Sequence, residues 1–514
     1  MDASPQAMPG NPAAGAPTES TGAGTTDQKN NKRKIQATKE TRQEKRLKKK
    51  HMSKAEKKSA IDAKRVMKLS KEQHEIRDEM VKEIGKRDQL TFAKLTNKAP
   101  ENLVYQMTPG AAKFMEHWPG VEKNLFKCRA KNAIISTNKK EFARNYNRHK
   151  LSHPHLIQNA KEVLECDFPD INFNNLHQFF DMKEVKSLND PFSSLLYENL
   201  NYFKDQMKLR DEGKPHVVIN IVSLNESDNK KINFVLPKVV LETNVIRMIN
   251  TAAESFIQKH PGTPRAKHYE EIKSKLMSVD KYVILSMAGS FMDIHIDMGG
   301  AAVYYYVWIG KKVFYVVEPT KKNVELYGEW EKKGGTKENQ GEWIVRRMEG
   351  PVKRVEINAG TLALFPSGML HFVYTPEDTV AFSGNMLTTD NIPLSFSVHK
   401  MDEECVQLGH VPEGVLFRGF WDTWFFFIDI CVLGEKTVKI DKKMAEELYR
   451  ELQNHVGDKK KSWFTIPKRK DILNGLAAMF WPEKPARSVK DFLKILDTEE
   501  IQEEEEETQS DDEE

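Results

Sequence analysis

The sequence predicts a mixed α and β fold, in which a jelly-roll barrel or sandwich of short strands is wrapped by helices. Two observations predict this fold. From residue 281 onward, short runs of β-branched and aromatic residues recur at regular spacing, separated by turn residues. On both sides of this stretch, apolar residues recur at helical spacing. The strands are therefore expected to form a core with helices around it.

Each predicted element follows from its residues. The strand runs are rich in Val, Ile, Tyr and Phe, which suit a pleated, half-buried surface. Gly310-Lys311-Lys312 separates two of these runs and predicts a hairpin, while 358–360 and 375–378 carry turn residues. The predicted strands cover 217–222, 282–286, 301–309, 313–317, 352–357, 361–365, 371–374 and 379–382. The predicted helices cover 239–256, 413–433, 442–455 and 470–479.

The two ends of the chain carry opposite charges, which the formal net charge of +4 conceals. Residues 31–70 hold 16 Lys or Arg against 4 Asp or Glu, whereas the last residues are strongly acidic. Clustered Lys and Arg neutralise phosphates without base contacts, so 31–70 is predicted to support nuclear import and to contact DNA. A solvated charged helix or a disordered arm is the simpler interpretation, and the two are compatible.

Shifts in composition divide the chain into six predicted segments. The first has almost no large apolar side chains and is expected to be disordered, as is the acidic tail. The segments are 1–30, disordered; 31–100, a basic and partly helical arm; 101–214, a mixed helical region; 215–400, the strand-rich domain; 401–497, a C-terminal helical segment; and 498–514, the tail.

Cysteine usage and hydropathy predict a soluble intracellular protein. The four cysteines are far apart and include no CxxC pair, which favours free thiols in a reducing compartment. No N-terminal apolar segment indicates secretion. The most apolar run, 421–434, is short and contains two Asp residues, so it is predicted to be a buried helix and not a membrane span.

Three residues form a candidate metal site. His295 and Asp297 are separated by one residue in the stretch 293–297, which is also interpreted as a strand, and His371 begins a later strand. Two imidazoles and one carboxylate on one face of a metal are the ligand set of non-haem Fe(II) oxygenases. Because alternate residues of a strand share a face, Asp293 is expected to point the same way as His295 and Asp297.

Lys312 and Tyr305 are candidate cosubstrate contacts. A 2-oxoglutarate molecule chelates iron at one end, and its distal carboxylate needs a cation and a hydroxyl donor. The Lys312 ammonium and the Tyr305 phenol are suitable groups. A surface lysine in a turn and a tyrosine of the core are the alternative interpretations of these two residues.

The order of motifs resembles that of the Jumonji C (JmjC) domain of histone lysine demethylases, in the subgroup related to the PHD-finger and CXXC/F-box proteins. The resemblance covers about residues 215–400. The motifs that carry it are Asn220-Ile221-Val222-Ser223-Leu224, Lys281-Tyr282-Val283, His295-Ile296-Asp297-Met298-Gly299-Gly300, Tyr304-Tyr305-Tyr306-Val307-Trp308-Ile309-Gly310-Lys311-Lys312, Phe314-Tyr315-Val316-Val317-Glu318-Pro319-Thr320 and Phe365-Pro366-Ser367-Gly368 with His371.

The resemblance implies a double-stranded β-helix of the cupin type and a nuclear enzyme that uses Fe(II), 2-oxoglutarate and O₂. It implies that His295, Asp297 and His371 bind iron. Lys312 would bind the distal carboxylate of 2-oxoglutarate, assisted by Tyr305 and Asn220. The implied reaction hydroxylates the N-methyl group of mono- or dimethyl-lysine on histone H3 and releases formaldehyde, which regulates chromatin and transcription.

Two departures from the family pattern bear on this function. Met292 stands where the subgroup has a Thr whose hydroxyl helps to hold the cosubstrate. A thioether donates no hydrogen bond, and the loss of one charge-assisted bond costs about 1.5–3 kcal/mol. The cysteines also cannot build a PHD or CXXC finger, so contact with chromatin is expected to fall to the basic arm or to a partner protein that supplies a chromatin reader.

Three functions fit these observations. The first is demethylation of methylated histone H3 lysine. The second is a JmjC protein hydroxylase or a demethylase of non-histone proteins. The third is a weakly active chromatin scaffold, which Met292 favours and the complete set of metal ligands opposes.

Overall fold

The mixed α and β class is confirmed by the structure, a computed structural model that describes residues 133–188, 196–214, 216–225, 229, 231–335, 344–410, 416–457 and 465–482. The predicted disordered segment 1–30, the basic arm at 31–100 and the acidic tail at 498–514 lie outside the described residues. Within them, twelve α-helices surround a nine-stranded sheet, an arrangement that fits a cupin-like core.

The elements are numbered here in chain order. The strands are β1 Ile134–Ser136, β2 His155–Ile157, β3 Val185–Leu188, β4 Leu196–Asn199, β5 Asn220–Asn225, β6 Tyr282–Ser286, β7 Phe291–His295, β8 Ala302–Val317, β9 Val352–Asn358, β10 Leu362–Phe365 and β11 Leu370–Met386. The α-helices are α1 Lys139–His149, α2 Ala160–Leu164, α3 Leu176–Phe179, α4 Leu200–Asp211, α5 Lys238–Thr243, α6 Val245–Lys259, α7 Pro264–Lys275, α8 Lys321–Glu331, α9 Ile392–Gln407, α10 Phe420–Phe426, α11 Lys442–Gln453 and α12 Ile466–Phe480. Strands β3 and β4 form a separate two-stranded sheet.

Two long antiparallel strands, β8 and β11, organise the nine-stranded sheet. The first half of each of these strands pairs with one neighbouring strand, and the second half pairs with another. The start of β8 pairs with β10 and its end pairs with β9. The start of β11 pairs with β7 and its end pairs with β6. The apolar side chains enclosed between these sections form an inner cluster that includes Tyr305, Phe314 and Val373.

The predicted hairpin at Gly310 is wrong. Strand β8 runs without a turn from Ala302 to Val317, and β11 likewise runs through the predicted turn at 375–378. The pairing register of β11 shifts between Tyr374 and Ala381, opposite the middle of β8. Bulges of this kind bend a strand while keeping it paired, which explains why turn-forming residues stand inside both strands.

Helices cover the sheet and form a second apolar cluster with the C-terminal segment. The single helix predicted at 239–256 is two helices, because Asn244 accepts a hydrogen bond from the Ile246 N–H and begins a new helix. The apolar run is buried as predicted: α10 continues into a π-helix at Phe427–Gly434. In the part of the chain that the structure describes, no helix has the length and hydropathy to span a membrane. Cys166, Cys405 and Cys431 are free and buried.

Candidate metal and cosubstrate site

The three candidate metal ligands lie together at one end of the inner cluster. One ligand atom from each of His295, Asp297 and His371 lies within 4.8 Å of the others. The two imidazole centroids are 4.1 Å apart, and Nε2 of His371 lies 3.8 Å from Oδ2 of Asp297. Strand pairing produces this proximity, because His371 of β11 is directly opposite His295 of β7.

Both imidazoles are oriented by the backbone. Nδ1 of His295 lies 2.7 Å from the Asp293 carbonyl, and Nδ1 of His371 lies 2.9 Å from the Met369 carbonyl. A carbonyl only accepts, so each Nδ1 carries the proton and each Nε2 keeps its lone pair for a metal. Burial lowers the pKa of His371 to about 4, and the His295 ring adds to this while Asp297 opposes it. The ring is therefore neutral at physiological pH, as a metal ligand must be.

Asp293 was expected to share a face with His295 and Asp297, and the pairing of β7 is irregular at this point. Its register with β11 shifts between the pairs His371–His295 and Val373–Met292. Met292 packs against the inner cluster. Asp293 does not belong to the metal-ligand group, and its Oδ1 accepts a hydrogen bond from the Ile294 N–H.

A tight turn follows Asp297. Gly299 and Gly300 both have positive φ, and the Gly300 N–H donates to the Asp297 carbonyl at 2.9 Å. The Gly300 carbonyl in turn accepts a hydrogen bond from the Gly368 N–H at 3.0 Å. This bond joins the loop that carries Asp297 to the loop that leads to His371.

Lys312 is a buried cation in β8, not a surface lysine in a turn. Its side chain is almost fully buried, and Nζ donates to Oγ of Ser286 at 2.6 Å and to Oγ1 of Thr375 at 2.7 Å. Burial lowers the pKa of Lys312 from 10.5 to about 7. Among the residues that the structure describes, no carboxylate pairs with this ammonium, so a bound anion would supply the missing partner.

Each of the other predicted cosubstrate residues contacts either the hydrogen-bond network of Lys312 or the inner cluster. Oδ1 of Asn220 accepts from Oγ of Ser286 at 2.6 Å, so Asn220 is linked to Lys312 through one hydroxyl. Tyr305 packs against Phe314 with ring centroids 5.0 Å apart. Burial raises the pKa of its phenol, which therefore stays protonated and able to donate. Met292 is half-buried against the same cluster.

Ser286, Thr375 and Ser290 complete this polar network and were not found from the sequence. Oγ of Ser290 donates to Oγ1 of Thr375 at 2.7 Å. Thr375 Oγ1 thus accepts from both Ser290 and Lys312, and within the described ranges no acceptor takes its own hydroxyl hydrogen. Thr375 can therefore donate to an anion held by Lys312, which supplies the kind of hydroxyl that Met292 lacks. Thr375 precedes a Pro, which hid its place in a strand.

Asp402 of helix α9 lies outside the sequence motifs and supports the turn that follows Asp297. Its Oδ2 accepts a hydrogen bond from the Gly299 N–H at 3.0 Å. Burial raises the pKa of Asp402 to about 7. Asp402 does not contact the candidate metal ligands, but it fixes the backbone two residues after Asp297.

We expect Asp402→Leu to weaken metal binding by about tenfold or more, since supporting hydrogen bonds of metal ligands have effects of this size. The change leaves the buried Gly299 N–H without its acceptor, at a cost of about 1–3 kcal/mol. Calorimetric titration of the metal-free protein with Mn²⁺ checks the affinity. Asp402→Asn keeps an acceptor oxygen and should bind Mn²⁺ like the wild type. Equal weakening in both variants would show that the carboxylate charge matters and not the hydrogen bond.

Comparison with known proteins confirms the predicted resemblance to JmjC-domain histone demethylases. The chain is 27% identical over 256 residues to Lysine-specific demethylase 2A of Xenopus tropicalis. It is 30% identical over 243 residues to JmjC domain-containing histone demethylation protein 1 of Candida albicans, and 31% identical over 186 residues to Lysine-specific demethylase 7A of Danio rerio.

These similarities cover part of each protein. The matched regions take up 48%, 44% and 36% of this chain, and 21%, 44% and 19% of the three relatives, in the order given. The chain therefore spans less than half the length of each of these relatives. No protein-family model matches the chain.

Proposed function

We propose that this protein is an Fe(II)- and 2-oxoglutarate-dependent dioxygenase that demethylates methyl-lysine on histone H3 in the nucleus, in the mono- or dimethyl state. The observation that carries the proposal is the presence of two sites on strands of one sheet. One is a His-Asp-His group whose ligand atoms converge, and the other is a buried ammonium without a carboxylate partner in the described part of the chain.

The donor set fits a divalent iron. Two imidazole Nε2 atoms and one carboxylate suit a first-row metal of intermediate softness and leave further coordination positions for other ligands. His295, Asp297 and His371 would hold the metal. The backbone carbonyls that bind both Nδ1 atoms keep the rings in the tautomer that a metal requires.

The interior also fits 2-oxoglutarate. Lys312 and Thr375 would bind its distal carboxylate, one through charge and the other through its hydroxyl hydrogen. His371 and Thr375 are four residues apart on β11, about 13 Å between α-carbons along an extended strand, and Val373 between them faces the inner cluster. A dicarboxylate can therefore lie along β11 with one end at the metal ligands and the other at Lys312.

When bound, iron and 2-oxoglutarate supply the oxidation of an N-methyl group by O₂, and the hydroxymethyl product leaves as formaldehyde. The residues of the chain orient the reactants and exclude water. Phe365 and Phe314 stack against His371 at centroid distances of 6.4 and 5.6 Å, which makes the surroundings of this candidate ligand apolar on one side. Tyr305 and Met292 form part of the wall between the two sites.

The proposal extends to the finer fold and to chromatin. We assign the sheet as a double-stranded β-helix, because β8 and β11 bend together and enclose one cluster between two sets of neighbours. The names of the relatives support a histone substrate. We also propose that residues 31–70 contact DNA and that a partner protein contacts chromatin.

The test is incubation of the purified full-length chain with Fe(II), ascorbate, 2-oxoglutarate and a panel of methylated histone H3 peptides, read by mass. We expect losses of 14 Da from mono- or dimethylated peptides, and none with His295→Ala. A stable gain of 16 Da would instead identify a hydroxylase. Unchanged masses with both proteins, while other active demethylases act on the same peptides, would refute the proposed activity.

A further inference from the structure

Helix α1 presents a row of cations to solvent. Lys140, Arg144 and Arg148 are exposed and follow one another at intervals of four residues. Such residues lie on one face of a helix, about 6 Å apart along its axis, so the row extends over about 12 Å. None of the eleven residues of α1 is fully buried, although the helix is packed on the edge of the sheet.

Among the described residues, few acids neutralise these cations. The nearest acid to Arg144 is Glu141 at 4.0 Å, and Glu141 already accepts hydrogen bonds from the N–H and Oγ1 of Thr137. Lys140 and Arg148 form no ion pair with any residue that the structure describes. Like charges four residues apart on a helix repel one another and destabilise it. A row of this kind is therefore stabilised when a polyanion binds.

The exposed face of α1 fits a phosphate backbone better than a protein surface. Ala143 and Asn147 stand between the cations, and both are exposed. The large apolar residues of the helix, Phe142 and Tyr146, instead pack against the inner side of the fold. Protein interfaces need buried aromatic or aliphatic anchors, whereas phosphate contacts need only cations and polar donors.

We propose that Lys140, Arg144 and Arg148 bind the phosphate backbone of duplex DNA without reading its sequence. Each side chain contacts one phosphate, and the Asn147 amide is placed to donate to a phosphate oxygen. This surface is separate from the basic segment 31–70 and adds to its contribution. The inference does not rest on the demethylase activity, so the two proposals can fail independently.

The test compares full-length proteins binding to a labelled DNA duplex between 50 and 200 mM salt, measured by fluorescence anisotropy. Each phosphate contact contributes about 0.9 to the slope of log affinity against log salt. The variant K140A/R144A/R148A should therefore lose about 2.7 from the slope. Over this range of salt, the wild type should lose about 40-fold more affinity than the variant.

Two control variants make the result specific. K267A/K439A/K443A removes three exposed lysines from other surfaces and should change the slope by less than about 1. K140R/R144K/R148K keeps the charges and should retain the slope of the wild type. Demethylation of a free peptide should be unchanged in all three, because the row lies outside the metal and cosubstrate site.

Equal slopes for the wild type and K140A/R144A/R148A would overturn the proposal, as would an equal loss in the K267A/K439A/K443A control. A third outcome would overturn it in favour of an acidic protein partner. In that case K140A/R144A/R148A would weaken binding to a nucleosome but leave the slope on free DNA unchanged.

Discussion

Replacing Lys312 by Met is expected to stabilise the fold by about 2–4 kcal/mol at pH 7, while weakening 2-oxoglutarate binding at least tenfold. Each unit of pKa shift corresponds to about 1.4 kcal/mol, and burial lowers the pKa of Lys312 from 10.5 to about 7. Methionine fills a similar volume without that cost, although the hydrogen bonds to Ser286 and Thr375 are lost. Both the gain in stability and the loss of the anion contact result from removing the buried Lys312 ammonium.

The lowered pKa of Lys312 determines how the stability of the wild type changes with pH. Between pH 7 and 10.5 the unfolded chain binds more protons at Lys312 than the folded chain does, so wild-type stability rises with pH in this window. Below about pH 7 the two states bind equally and the full penalty is present. Urea unfolding from pH 6.5 to 9.5 should show this rise in the wild type and not in Lys312→Met.

Lys311→Met is the matched control, since Lys311 is adjacent in β8 but forms ion pairs with Glu356 and Glu377 at 3.3 and 3.5 Å near the surface. It should change stability by less than about 1 kcal/mol. Calorimetry of the Mn²⁺-loaded proteins then measures 2-oxoglutarate affinity, which should fall as pH rises above 7 in the wild type and in Lys311→Met. A Lys312→Met variant that is less stable than the wild type would contradict the assignment of a strained buried cation.

Replacing Gly310 by Ala is expected to destabilise the protein by about 2–5 kcal/mol, because two costs add. Gly310 has a φ of +79°, and a Cβ there would lie 2.1 Å from the Asp378 carbonyl oxygen in the neighbouring strand. Gly360 has a φ of +80° with nothing within 4 Å of the corresponding Cβ position. Gly360→Ala should therefore incur only the cost of the backbone conformation, about 1–2 kcal/mol.

The difference between these two variants measures the close approach of β8 and β11 at their shared bend. Urea unfolding of both variants, followed by circular dichroism, gives the two free energies. If Gly310→Ala and Gly360→Ala lose equal stability, the two strands do not touch at this point and the bend is looser than described.

How far the sequence predicts this protein can be judged from particular residues. The three candidate metal ligands were found because one motif holds two of them and the third follows a recognisable turn. The continuity of β8 and β11 was missed, since Gly310 and Thr375-Pro376 are locally typical of turns. Only the bend that both strands share explains those residues, and a bend depends on pairing between distant segments. Ser286 and Asp402 were missed for the same reason: each acts on a residue far away in sequence.

The position of Met292 has a consequence for the selectivity of inhibitors. Met292 packs its thioether against the inner cluster, and Thr375, whose hydroxyl accepts from Ser290 and Lys312, lies on the neighbouring strand β11. A 2-oxoglutarate analogue with a small alkyl branch facing Met292 would gain apolar contact here. In a protein with Thr at that position, the same branch would displace a hydrogen bond. For the proposed 2-oxoglutarate site, an analogue branched on the side of Met292 should therefore bind this chain in preference to a protein with Thr at that position.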